Sequence, residues 1–384
     1  MFKKNFEFKN FFIKKKKNKY IKKFFRELIN EYNNSQLLKS LSTSYNYSFK
    51  KNRINKLKKG KFFRVIGMGG SILGSEAIYN FLRNNKKFYF INNLQTLRKD
   101  FFSKSSTNII ISKSGNTLET IVNINLFCRK KDKNIIITEN KQSYLTQLAK
   151  KLQSEIIEHN NFIGGRYSVL SEVGMIPAIL MGYNERKFKQ FNNLIKDKTF
   201  VNKLILNVAQ IISLLKNKQN SIILNYDDSS NHLFKWYQQL IAESLGKKSK
   251  GFLPIISSMP KDNHSVMQYF LDGPKKNFYT FFSVNEKNSI KIKNNDFLIN
   301  EKHLASKNIN QIIHAQKLAT ERVFLNKKIP FRSFTVKKRN EQSLGELFCF
   351  FILETILLGR ALKVNPFDQP SVELIKTETK KILF

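Results

Sequence analysis

The chain has 384 residues, 41% of them hydrophobic and 13% aromatic, which fits a pair of globular domains and excludes an intrinsically disordered protein. It carries 68 Lys+Arg against 28 Asp+Glu, a net charge of +40. Its two cysteines, Cys128 and Cys349, lie far apart without metal-ligand spacing, which excludes a disulfide framework or a zinc module and fits a reducing cytoplasm.

Residues 1–60 hold 18 Lys+Arg and 3 Asp+Glu, a net of +15, so the other 324 residues carry +25. The excess is spread out and not gathered into a stripe, and no zinc-finger or RNP-type motif accompanies it. Codons rich in A and T, which favour Lys, Asn, Ile and Phe, account for it better than a specific nucleic-acid function. The segment reads as helical and polar, with Phe24, Phe25, Leu28 and Ile29 among the charges. Charges interrupt its start throughout, so no secretory signal is expected, and Lys in place of Arg argues against a transit peptide. No apolar run nears the roughly 20 residues that span a bilayer, so no membrane partner is expected.

Strands are expected at 62–66, 88–92, 108–112 and 134–138, with helices over 72–84, 117–129 and 142–152. Short β-rich apolar runs alternating with helices predict an α/β fold with a parallel, doubly wound sheet. Residues 170–181 read as a buried helix, and 185–217 as two helices joining the halves. A second alternation follows: strand 221–225, helix 232–246, strand 252–256, helix 264–271, strand 277–284, helix 308–325, strand 330–336 and an apolar helix near 342–363. The end of the chain opens with Pro366 and Pro370 and then turns helical. The expected division is a helical segment 1–60, α/β units at 61–184 and 220–364 joined by 185–219, and a tail 365–384.

The stretch GMGGSILGS, Gly67 to Ser75, sits between the first strand and its helix, where backbone N–H groups and a helix N-terminus suit a phosphate. A dinucleotide loop needs a third glycine where Ile72 stands, and an acidic residue where the next strand ends Ile91-Asn92-Asn93. A Walker A loop fails for want of the Lys-Ser/Thr pair. A small anion near Gly70 and Ser71 fits better. A second loop, Lys113-Ser114-Gly115-Asn116-Thr117-Leu118-Glu119-Thr120, sets three hydroxyls on one side of a helix start. Taken alone, Thr117 is equally well an N-cap. Two such loops on neighbouring strands point to one phosphate site.

These two motifs resemble the sugar isomerase (SIS) fold of phosphosugar-binding proteins. With FIGGRYSVLSEVG, QQLIAESLGK, PKDNHSVMQ and NPFDQPSVELIK they resemble the glucose-6-phosphate isomerase family, in the family's order, over about residues 60 to 380. The chain is short for that family, and SKSGNT stands where many members have a Thr-Phe-Thr-Thr version. Pro370 follows Gln369 where Trp-Gly is common, and residues 1–60 match no motif of it.

The resemblance implies two SIS-type domains and an aldose–ketose isomerase of glucose 6-phosphate and fructose 6-phosphate, a step of glycolysis and gluconeogenesis. It implies that Glu243 is the base that carries a proton between carbons 1 and 2, although by spacing alone Glu243 is equally a surface partner for Lys247. Gln239 lies one turn earlier on the same helix. His264 and Lys376 are implied in ring opening, His264 reaching the neighbouring subunit's site in a homodimer. Arg166, after Gly164 and Gly165, is implied beside the enediolate, where a fixed cation stabilises charge as it forms. Gly165 lets backbone approach the substrate, and Gln369 is implied near the phosphate with Gly70, Ser71, Lys113, Ser114, Thr117 and Thr120. No cofactor and no metal are expected, because no hydride moves. A non-catalytic phosphosugar-binding module is the alternative, which has the phosphate loops but no need of Glu243, His264 and Lys376.

Overall fold

A computed structural model describes residues 5–11, 13, 19–94, 105–286, 288–293 and 296–383. The chain opens with β1 (Phe6–Lys9), then α1 (Lys19–Asn30), α2 (Gln36–Ser40) and α3 (Lys51–Leu57). The alternation that follows is β2 (Phe62–Ile66), α4 (Leu73–Phe81), β3 (Lys87–Ile91), β4 (Thr107–Ile111), α5 (Leu118–Phe127), β5 (Lys133–Thr138), α6 (Tyr144–Leu152) and β6 (Glu155–Glu158). These strands form a sheet ordered β3-β2-β4-β5-β6, parallel throughout.

Helices α7 (Glu172–Met181), α8 (Phe191–Lys196) and α9 (Lys198–Leu214) lead to the second alternation: β7 (Asn220–Asn225), α10 (Asn231–Leu245), β8 (Leu253–Ser258), α11 (Met267–Asp272), β9 (Asn277–Val284), α12 (Ile309–Asn326) and β10 (Phe331–Val336). Helices α13 (Glu341–Leu362) and α14 (Val372–Leu383) close the chain. The second sheet runs β1-β10-β9-β7-β8, with β1 antiparallel to β10 and the rest parallel.

Two expectations need correction. The N-terminal segment is not wholly helical, because FEFK alternates with period two and pairs with β10. Phe6 and Phe8 thereby reach Phe334 and Phe350, with Phe8 4.5 Å from Phe334 between ring centroids. Strand β6, four residues long, carries too little pattern to have been expected after α6.

Helices α7 and α13 carry apolar residues around their whole circumference because α7 and most of α13 are buried on all sides, with Glu172, Glu346 and Glu354 as buried carboxylates among them. Helix α13 packs on α9 and α10, and α10 packs in turn on α4. Between β10 and α13, buried Arg332 pairs with Glu354, and it donates to Asn207 Oδ1 at 3.0 Å and to Tyr237 Oη at 3.1 Å. Tyr237 Oη donates to the other Glu354 oxygen at 2.9 Å, so this buried charge pair has its remaining hydrogen bonds satisfied.

Candidate active site

The first sheet reverses its winding between β2 and β4, and such a crevice at the carboxyl ends of the strands is where α/β sheets hold ligands. The second sheet reverses between β7 and β9, but there Arg339 fills the position. Its guanidinium donates to Asp227 Oδ1 at 2.7 Å and to Glu286 Oε1 at 2.6 Å.

After β2 the chain makes a 3-10 turn, Gly69–Ser71, before α4. Gly69 has φ +51, and a Cβ on it would lie 2.7 Å from Gln239 Nε2. A Cβ on Gly70 would lie 2.2 Å from Gly165 C and 2.4 Å from Arg166 N. The glycines therefore do more than turn the chain: they let this loop touch α10 on one side and the Gly165–Arg166 backbone on the other. Ser71 is half-buried beside them.

After β4, Gly115 has φ +71, and its N–H donates to Ser112 Oγ at 3.2 Å. Thr117 stands at the N-cap of α5 but makes no capping bond, and its hydroxyl pairs with Ser112 Oγ at 2.9 Å. The N-cap position is therefore as expected, but the hydroxyl is turned to Ser112 instead of capping the helix. Ser114 is exposed, its Oγ accepting from Asn116 N at 3.3 Å. Thr120 is buried in the first turn of α5, and its Oγ1 has no hydrogen-bond partner among the described residues. An unmet buried hydroxyl is costly, and this one lies three residues after Thr117, at the start of the same helix. The Lys113 ammonium is engaged by Asn161 O at 2.8 Å and lies 3.7 Å from Glu139.

Arg166 gathers the rest. It lies in the 3-10 turn Gly165–Leu170 and is buried. Its Nε donates to Ser244 Oγ at 2.8 Å, and Nη1 to Glu243 Oε2 at 3.3 Å and Gln369 Oε1 at 2.5 Å. Nη2 donates to the carbonyls of Pro366 at 2.8 Å and Asp368 at 2.9 Å. Gln239 Nε2 donates to the other Glu243 oxygen at 2.9 Å. Trp236 Nε1 holds the Arg166 carbonyl at 3.1 Å. Burial pushes the Tyr167 phenol up to about 12, so it stays a donor, to Pro366 O at 3.0 Å.

The helical pairing of Glu243 with Lys247 is not found. Lys247 bonds Asp368 at 2.7 Å and the Asn365 carbonyl, so it fixes the 365–369 loop instead. Sequence reasoning missed Ser244, Tyr167 and Lys247 as supports of this loop, and the two backbone acceptors carry no residue signal at all. His264 ends an exposed 3-10 turn, Lys261–His264, and α11 begins only at Met267. Lys376 is exposed on α14 and pairs with Glu373 at 2.6 Å. Among the described residues, neither His264 nor Lys376 bonds to the Arg166–Glu243 cluster.

Residues 58–257 match the family model of phosphoglucose isomerase. The glucose-6-phosphate isomerase of Methanocaldococcus jannaschii is 33% identical over 339 residues, 83% of this chain and 82% of that one. That of Mycoplasmopsis pulmonis is 31% identical over 373 residues, 87% of each chain. Among solved structures, a hypothetical protein of Thermus thermophilus superposes with a TM-score of 0.82 at 21% identity, over 94% of both chains. A glucose-6-phosphate isomerase of Chlamydia trachomatis superposes with a TM-score of 0.68 at 19% identity, over 87% of this chain and 72% of that one.

Proposed function

The chain belongs to the phosphoglucose isomerase family, and we propose that Glu243 is the base with which it interconverts glucose 6-phosphate and fructose 6-phosphate. The reaction moves one proton between neighbouring carbons through a planar enediolate. A carboxylate oxygen takes the proton from one carbon and returns it to the other on the same face. Gln239 and Arg166 hold one Glu243 oxygen each, which fixes the plane of the carboxylate. Arg166 adds a fixed positive charge beside the position where the enediolate charge grows.

One observation carries this reading: Arg166 Nη1 touches both Glu243 and Gln369, bringing three separate motifs onto one guanidinium. The phosphate end falls to Ser71, Ser114, Thr117 and Thr120 in the β2–β4 crevice, with the unpaired Thr120 hydroxyl as its support. Lys113 contributes charge at longer range than a direct contact. His264 and Lys376 open the sugar ring, and the exposed position of His264 favours its delivery to the site of a second copy in a homodimer. A cytoplasmic location follows from a glycolytic role.

The test is Glu243→Gln. Removing a general base lowers kcat by about 10²- to 10⁴-fold, with fructose 6-phosphate still bound. Turnover within twofold of the parent would rule out Glu243 as the base.

A further inference from the structure

On the outer edge of the first sheet, α4 and β3 border a second cavity of about 370 Å³. Glu76, Tyr79 and Asn80 of α4 line it, with Phe90 of β3, Asn92 just beyond that strand, and His232 at the start of α10. None of these residues belongs to the Arg166–Glu243 cluster or to the two phosphate loops.

Glu76 is 5% exposed. Its Oε1 accepts from Asn92 Nδ2 at 2.7 Å, whereas its Oε2 is buried without a hydrogen-bond partner among the described residues. A carboxyl oxygen withdrawn from water and left unmet is expensive, so a small turn of this side chain toward a donor in the cavity it lines would be favourable. Burial pushes the Glu76 carboxyl up to about 7. Burial, with help from Lys235, holds the His232 imidazole below its ordinary value. The cavity thus offers a carboxyl that is partly protonated near neutral pH beside an imidazole biased to its neutral form. One wall is aromatic, with Tyr79 and Phe90 set edge to face at 5.4 Å.

We propose that this cavity binds a small neutral polyol or sugar, whose hydroxyls bond the Glu76 carboxyl, Asn92 and His232 that line it and whose C–H face lies on the Tyr79–Phe90 wall. Carboxyl, amide and imidazole groups each match a hydroxyl as donor or acceptor. A preformed cleft with one apolar wall and a few convergent polar groups is the common form of a small-molecule site. An ammonium ligand is disfavoured by the weak negative charge of the cavity and by the net charge of +40 around it. The assignment stands apart from the isomerase reading, since the two sites share no residue.

Saturation-transfer NMR on the full chain tests it, with glucose and myo-inositol as probes and saturating fructose 6-phosphate filling the catalytic crevice. Transfer to at least one probe is expected to persist under those conditions. It should fall at least tenfold in His232→Leu and in Glu76→Leu, and His232→Leu decides alone if Glu76→Leu does not fold. Retained isomerase turnover checks that each variant is folded. Absence of transfer from both probes, or transfer abolished by fructose 6-phosphate and unchanged in the variants, would overturn the proposal. Binding of tetramethylammonium in place of the polyols would overturn the ligand class.

Discussion

At Gly70 a single hydrogen in place of a methyl lets the β2 loop rest on Gly165. The Cβ of Gly70→Ala would lie 2.2 Å from backbone carbon, so one of the two loops must move by about an ångström. Misplacement on that scale costs on the order of 10²-fold in rate, so Gly70→Ala is expected to fold, by circular dichroism, and to lose about that much kcat/KM. Thr120→Val asks a different question, because the hydroxyl it removes has no partner among the described residues of the free protein. Unfolding in urea should show unchanged or slightly raised stability, while the lost hydrogen bond to a charged phosphate, about 1.5–3 kcal/mol, raises KM at least tenfold. A loss of stability with KM unchanged would make Thr120 structural. At this site the close approach of the glycine turn to Gly165 was foreshadowed by the run of glycines, whereas the hydroxyls of the second loop suited an N-cap as well as an anion and were singled out by the family resemblance. The role of Lys247 was not: its helical spacing to Glu243 is correct, but a partner from 121 residues away, Asp368, competes successfully for it.

The long alternating elements could be read from periodicity because each strand is a run of apolar residues between turn signals, as in IIISK and SIILN. Strand β2 lies at Phe62–Ile66 and β9 at Asn277–Val284, as expected. Strand β1 was obscured because the lysines flanking FEFK suit a polar helix equally well, and only β10 supplies the edge that makes it a strand. The register between α13 and the second sheet was likewise invisible, since it depends on burying Arg332 against Glu354. Breaking a buried pair from one side costs about 3–5 kcal/mol. Glu354→Ala is therefore expected to lower the free energy of denaturant unfolding by that much, with Arg332, Asn207 and Tyr237 all left short of a partner. A change under 1 kcal/mol would show that water or a rearranged side chain replaces the carboxylate.

Over the whole molecule, two sheets of similar build each reverse their winding once, and Arg339 bridges Asp227 and Glu286 at the second reversal. The tail reaches the Arg166–Glu243 cluster through Gln369, while α14 beyond it has no buried residue among those described. His264 and Lys376 are both exposed and bond to no member of the Arg166–Glu243 cluster among the described residues, so the proposed ring opening by them calls for a second copy or movement of the tail. Mixing subunits separates these. If His264 serves the neighbouring site, Glu243→Gln and His264→Ala are each inactive alone, and their mixed dimers recover one working site of two. No recovery after verified subunit exchange would place His264 in its own chain's site.

The central claim is proton transfer by Glu243 between two carbons of one phosphosugar. It is tested most directly by incubating the protein with fructose 6-phosphate in D2O, over many turnovers and without added metal or nucleotide. The account predicts glucose 6-phosphate carrying deuterium at C2, and loss of both product and label in Glu243→Gln. Product formed without label in the parent, or label entering undiminished in Glu243→Gln, would contradict it.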